Sequence, residues 1–131
     1  MFAVKISADD RIETINFPLT DQYPILRDAV GGLIECVPIF IDGKRMDMWV
    51  NEEGLLNRLP YNSMATFLAD NSARGLAMTP IVGDVIVTGK PNNKGETQPL
   101  TLNQTNFLSR ALVAFEYVRT PGNDVSHPSI R

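Results

Sequence analysis

The sequence predicts an α+β domain: a mostly antiparallel sheet of about five strands with about three helices. Three observations carry this expectation. Apolar, β-branched runs are joined by tight-turn signals, Asp42-Gly43 above all. Three other segments place apolar residues at helical spacing behind capping residues. Strand and helix patterns do not alternate regularly, which disfavours a parallel βαβ arrangement. A chain of 131 residues also fits one core, since single domains usually run to roughly 100–200 residues.

The elements follow in order. Residues 2–7 read as a strand, residues 8–11 as a turn, and residues 12–17 as a second strand ended by Pro18. Thr20 or Asp21 can cap a short helix with Pro24 in its first turn, where a missing N–H costs little. Tyr23, Leu26 and Val30 share one face of it, and Gly31-Gly32 ends it because the exit residue often needs a positive φ. Residues 33–41 are almost continuously apolar and lead through Asp42-Gly43 into residues 46–50, a central hairpin. Pro38 cannot donate to a ladder, so this strand has an unpaired side or a bulge.

Residues 51–54 form a turn in which Asn51 can bond its own backbone and Gly54 suits a left-handed closing position. Asn62 caps a second helix with a Met64, Phe67, Leu68 face. Residues 71–80 read as a loop, and residues 81–87 end in a β-branched run typical of a buried strand. Residues 89–99, rich in Gly, Pro, Asn and Lys, read as a mobile loop. Thr101 and Gln104 form a T-x-x-Q capping box for a third helix carrying Phe107, Leu108, Ala111, Leu112 and Phe115 on one face. Thr120-Pro121-Gly122 terminates it. The expected organisation is a single domain over residues 1–119 and a flexible tail over residues 120–131.

Composition removes several function classes. Twelve Lys and Arg against fifteen Asp and Glu give a net charge of -3, which argues against a basic nucleic-acid clamp that works by neutralising phosphates. No aromatic residues interleave with the basic ones as a single-strand stacking platform would need. The ten acids of residues 1–65 are scattered and form no block, so a solvated surface is the plain reading. One cysteine, Cys36, excludes an internal disulfide. The N-terminus lacks a secretory pattern and no window is long and apolar enough to span a bilayer, so neither secretion nor membrane insertion is expected.

Catalytic and cofactor signals are weak. The single histidine, His127, lies in the expected tail, which cannot hold a general base against its proton. Cys36 sits inside the apolar strand and reads as a small core hydrophobe. No metal-ligand spacing is present: Asp9-Asp10 and Glu52-Glu53 are adjacent pairs, whose side chains diverge on a strand. Gly83 to Lys90 has the wrong glycine spacing for a phosphate loop, and Pro91 stands where a Ser or Thr should be. No cofactor is expected.

What remains is a polar cluster in residues 51–62, where Asn51, Glu52, Arg58 and Asn62 are the candidate binding residues. A turn and a helix cap account for much of it. A recognition surface, with Arg58 and the helix N-terminus offering donors to an anion, is the functional alternative. Glu35, a carboxylate inside an apolar strand, is the fifth candidate. If exposed it is ordinary; if buried it needs a partner or a raised pKa. A two-residue loop at Asp42-Gly43 places Glu35 opposite Val50, and a three-residue loop places it opposite Asn51; only the second is expected to bring it beside the polar cluster.

The run Val30-Gly31-Gly32-Leu33-Ile34-Glu35, followed by Val50-Asn51-Glu52-Glu53-Gly54 and then by Leu59-Pro60-Tyr61-Asn62, resembles a small domain of unknown function found in phages, plasmids and conjugative elements, sometimes as a module of polyvalent proteins. The similarity spans residues 22–90 and includes residues 81–87. It implies a setting, not a reaction, and brings no assigned catalytic residues with it. The leading expectation is a non-enzymatic binding protein that blunts a host defence by holding a host protein in the bacterial cytoplasm. The alternative is a small-ligand binder that sequesters a nucleotide-type signal, which needs Arg58, Arg74 or Lys90 turned toward one cavity; exposed strand edges near Pro38 leave room for a homo-oligomer. Third comes an enzyme using Glu35 or Glu52 as a carboxylate base.

Overall fold

The computed structural model describes residues 1–41, 43–70 and 80–119. The elements run β1 (Phe2–Ile6), β2 (Ile12–Asn16), α1 (Tyr23–Val30), β3 (Ile34–Ile41), β4 (Lys44–Asn51), α2 (Ser63–Asp70), β5 (Val85–Gly89) and α3 (Leu102–Arg119). The five strands form one sheet in the order β2-β1-β5-β4-β3, and every neighbouring pair is antiparallel. With three helices among the described residues, the chain is a single-domain α+β arrangement.

The helices cover both faces, and strand composition follows from that. α1 packs Leu26, Ala29 and Val30 with Ala3, Phe17 and Ile86 on one face. On the other, Met64 and Leu68 of α2 and Leu108 and Leu112 of α3 meet Val4, Ile39, Met48 and Val87 in the larger core. β5 therefore alternates between two apolar environments and is buried along its whole length, which is why Val85-Ile86-Val87 reads as an unbroken apolar run. β3 lies at the sheet edge, paired without a bulge from Ile34–Asn51 to Ile41–Lys44. An edge strand tolerates Pro38, and a proline there makes the open edge a poor template for another strand.

Local signals account for several ends. Gly31 closes α1 in the left-handed conformation at φ 77°, its N–H donating to the Arg27 carbonyl. Thr101 N donates to Gln104 Oε1 at 2.9 Å while Gln104 N donates to Thr101 Oγ1 at 3.1 Å, the reciprocal capping box at the start of α3. Arg119, in the last turn of α3, reaches Ser63 Oγ at 2.8 Å and also pairs with Asp10 and Glu116, fastening the helix to the β1–β2 turn and to α2.

Four expectations need correction. Neither Thr20 nor Asp21 caps α1: its N-cap is Gln22, whose side chain makes no cap bond and instead donates to the Pro18 and Thr97 carbonyls. Tyr23 faces outward, half exposed, because the buried face of α1 is Leu26, Ala29 and Val30. Gly54 has no positive φ; a Cβ there would meet Val82 Cγ2 at 2.9 Å, so the residue is selected for close approach. Residues 89–99 are ordered, with Pro91 bridged to Thr97 and Asn92 Oδ1 accepting from the N–H groups of Lys94 and Glu96. Residues 71–79 of the loop expected over 71–80, and the expected tail over 120–131, lie outside the described residues.

Candidate functional site

The hairpin β3–β4 settles the register of Glu35. Ile41 pairs with Lys44, leaving two residues in the loop, and Glu35 stands opposite Val50. Contrary to expectation, this register still brings Glu35 to the polar segment. Directly opposed residues share a face of the sheet, and the chain leaves β4 at Asn51 in a turn that folds Glu52 and Leu55 back toward the same side. Glu35, Asn51 and Glu52 consequently line one groove of about 280 Å³. Val37, Val50 and Leu55 supply part of its apolar wall, and Ala69 of α2 with Ile81 and Val82 closes the other side. Glu35 and Glu52 are exposed, so the buried-carboxylate alternative for Glu35 falls away.

The amides of this segment turn inward. Asn51 donates from Nδ2 to the Val30 carbonyl at 3.2 Å and accepts at Oδ1 from Glu53 N at 2.8 Å, tying the end of α1 to the turn after β4. Asn62 is fully buried. Its Oδ1 accepts from Ala65 N at 3.0 Å as the cap of α2, while Nδ2 donates to the carbonyls of Ile6 at 3.0 Å and Gly83 at 2.9 Å. One side chain thereby joins α2, the end of β1 and the segment that walls the groove.

Arg58 is not brought into that groove. It is exposed and holds a left-handed backbone at φ 55° with its N–H on the Leu55 carbonyl. Because Asn62 already occupies the first turn of α2, the arrangement of Arg58 beside a free helix N-terminus does not form. Glu52 and Glu35 define the charge of the groove, and the segment carries exposed apolar groups: Leu55 at 57%, Leu56 at 78% and Tyr61 at 55%.

A second groove, of about 290 Å³, was not legible beforehand. It lies between the tip of the β3–β4 hairpin and α3, and brings Lys44 and Arg110 together with Asn103, Asn106 and Phe107. Helical periodicity assigns Phe107 to a buried face, but nothing local in the sequence says that a hairpin tip docks there.

Elsewhere the polar groups serve structure. Asp47 is only 1% exposed and is neutralised by Arg45, two residues along the same strand face, at 2.8 Å from Nε. Cys36 stands against this pair. Burial, and then the Asp47 charge, push its thiol up to about 11, so it stays protonated at neutral pH and is a poor nucleophile. Trp49 Nε1 donates to the buried Thr88 Oγ1 at 3.0 Å. Among the described residues no three His, Cys, Asp or Glu side chains are placed to hold a metal ion, and no helix is long and apolar enough to cross a membrane.

No curated protein and no solved structure matches the chain. A family model does, over residues 1–113, which takes in the N-terminal hairpin and most of α3 as well as the hairpin and groove segments. The chain therefore belongs to the family described as domain of unknown function DUF3846.

Proposed function

We propose that the protein is a non-enzymatic binding protein of a phage or mobile element, and that it counters a host defence by holding a host protein in the bacterial cytoplasm. The contact surface is the groove of Glu35 and Glu52. The observation that carries this reading is the combination of an apolar wall, two exposed carboxylates and the outward Leu55, Leu56 and Tyr61 on one short segment. Leaving a leucine in water forgoes about 1.5–3 kcal/mol that burial would recover, and clustered exposure of this kind marks interaction surfaces. The carboxylates select the partner: a segment with an apolar side chain flanked by Lys or Arg. The sequence resemblance to domains of phages, plasmids and conjugative elements supports the setting.

The test compares the tagged protein with E52K and L55D in capture from host lysate. Both positions are exposed, so the variants are expected to melt like the parent. A stoichiometric partner retained by the parent and weakened roughly tenfold or more in each variant supports the reading. Repeated capture that yields no partner from a biologically active preparation refutes it, as does a partner held equally by both variants. Multiple turnover by the purified protein, abolished in E35Q or E52Q, would replace it with the enzymatic alternative.

A further inference from the structure

We propose a second site at the opposite end of the same hairpin, one that takes a small phosphorylated ligand with a flat apolar body, a nucleoside monophosphate by class. It shares no residue with the Glu35 groove and does not rest on the reading given for that groove.

The argument begins with charge. Lys44 projects from the start of β4 and Arg110 from the third turn of α3, and both line the groove of about 290 Å³. Neither makes an ion pair among the described residues, whereas Arg11, Arg45 and Arg119 each hold a carboxylate. Among the described residues no Asp or Glu lines this groove. Two cations with no carboxylate partner among the described residues, facing one concavity in a chain whose net charge is -3, form a local positive field that an anion relieves. Arginine presents a planar fork that pairs with two phosphate oxygens, and lysine adds a mobile point charge.

The remaining lining residues choose among anions. Asn103 and Asn106 offer side-chain amides from one side of α3. Gln104 spends its Oε1 on the Thr101 N–H, so its Nε2 is left to donate. Ile41, Met46 and Phe107 supply an apolar wall. Bare inorganic phosphate would leave that wall wet, whereas a flat ring covers it, with Met46 adapting to ring shape. At about 290 Å³ the groove lies just below the usual small-ligand pockets of roughly 300–1,000 Å³, which suits one nucleotide and not a dinucleotide.

The experiment titrates the full chain with AMP, GMP, CMP, UMP, adenosine and inorganic phosphate, following thermal stability and backbone amide NMR shifts at low salt, and repeats the AMP titration with K44Q and R110Q. Both side chains are exposed, so unchanged melting of the free variants is expected. The proposal predicts stabilisation by AMP, amide shifts centred on Met46 and Phe107, and affinity roughly tenfold lower in each variant and for adenosine or phosphate alone. It is overturned if none of AMP, GMP, CMP and UMP stabilises at millimolar concentration. It is equally overturned if AMP binds both variants as tightly as the parent, or if phosphate binds as tightly as AMP.

Discussion

Replacing Asn62 isolates what one buried amide contributes, because its two ends perform separable tasks. In Asn62→Ala the cap of α2 is lost, at a cost of about 1 kcal/mol. The carbonyls of Ile6 and Gly83, both in buried residues, also lose the donor that reaches them at 3.0 and 2.9 Å. Each unsatisfied polar group adds about 1–3 kcal/mol. The total is about 3–7 kcal/mol, a large part of the roughly 5–15 kcal/mol available to a domain, and at ~4 °C per kcal/mol it lowers the melting temperature by about 12–28 °C. Asn62→Asp discriminates between the two tasks. Aspartate caps a helix as well as asparagine does, but it offers an acceptor where two carbonyls need a donor. Burial against those oxygens raises the folded-state pKa of the new carboxyl above its unfolded value. Its tolerable, protonated form is fully present below the unfolded pKa, and stability is lost as pH rises through the folded one. Urea unfolding should therefore show Asn62→Asp at least 3 kcal/mol below the parent at pH 7, a loss of the size argued from unsatisfied groups, with the gap narrowing toward pH 4. If Asn62→Asp matches the parent within about 0.5 kcal/mol at pH 7, the donor side of Asn62 is irrelevant and the reasoning fails.

Cys36, with its thiol pushed up to about 11 by burial and by Asp47, should react with iodoacetamide at pH 8 on the order of a hundredfold more slowly than a free cysteine. A raised folded pKa also means that its stability contribution is present below the unfolded value and declines as pH rises toward 11, which alkaline urea melts can follow. Gly83→Ala places a Cβ at φ 77° and 2.7 Å from Leu59 Cδ1, whereas Gly31→Ala has the same φ and open space. Both should lose about 1–2 kcal/mol from backbone strain, and Gly83→Ala should lose more; equal urea midpoints would refute the Leu59 contact. Thr101→Ala removes the acceptor for Gln104 N and should cost about 1 kcal/mol, largely restored by Thr101→Ser.

Features encoded within a few residues were legible in the sequence. The Asn62 cap, the Thr101–Gln104 box and Gly31 all depend on neighbours along the chain, and each stands where local chemistry placed it, whereas the length of the β3–β4 loop, open in the sequence between two residues and three, is fixed by strand pairing. Contacts between distant segments were not legible. Gln22 spends its side chain on Thr97, 75 positions away, so a locally better capping residue such as Asp21 is bypassed. Gly54 looks like a turn glycine until Val82 is packed against it. The site shows the same division: the residues of the Asn51–Asn62 segment could be listed, but only the tertiary fold decides that Asn51 and Asn62 face inward while Glu52 and Leu55 face the groove. Lys44 and Arg110 stand 66 positions apart, and no spacing rule connects them.

That division also removes a competition between the two binding ideas. With the Asn51 amide committed to Val30 and Glu53, the groove at Glu35 offers partners apolar contact and negative charge, a poor combination for an anion. The donors an anion needs converge instead at Lys44 and Arg110. From Glu35 to Ile41 on β3 the rise is roughly 20 Å at about 3.4 Å per residue, more than twice the screening length of about 8 Å at physiological salt. The two ends of the hairpin therefore act as electrostatically separate sites of opposite sign. A charge reversal such as E52K should leave AMP affinity unchanged, and R110Q should leave capture of a protein partner unchanged. If either substitution moves both readouts, the ends are coupled through the hairpin itself, and the assignment of one ligand class to each end is wrong.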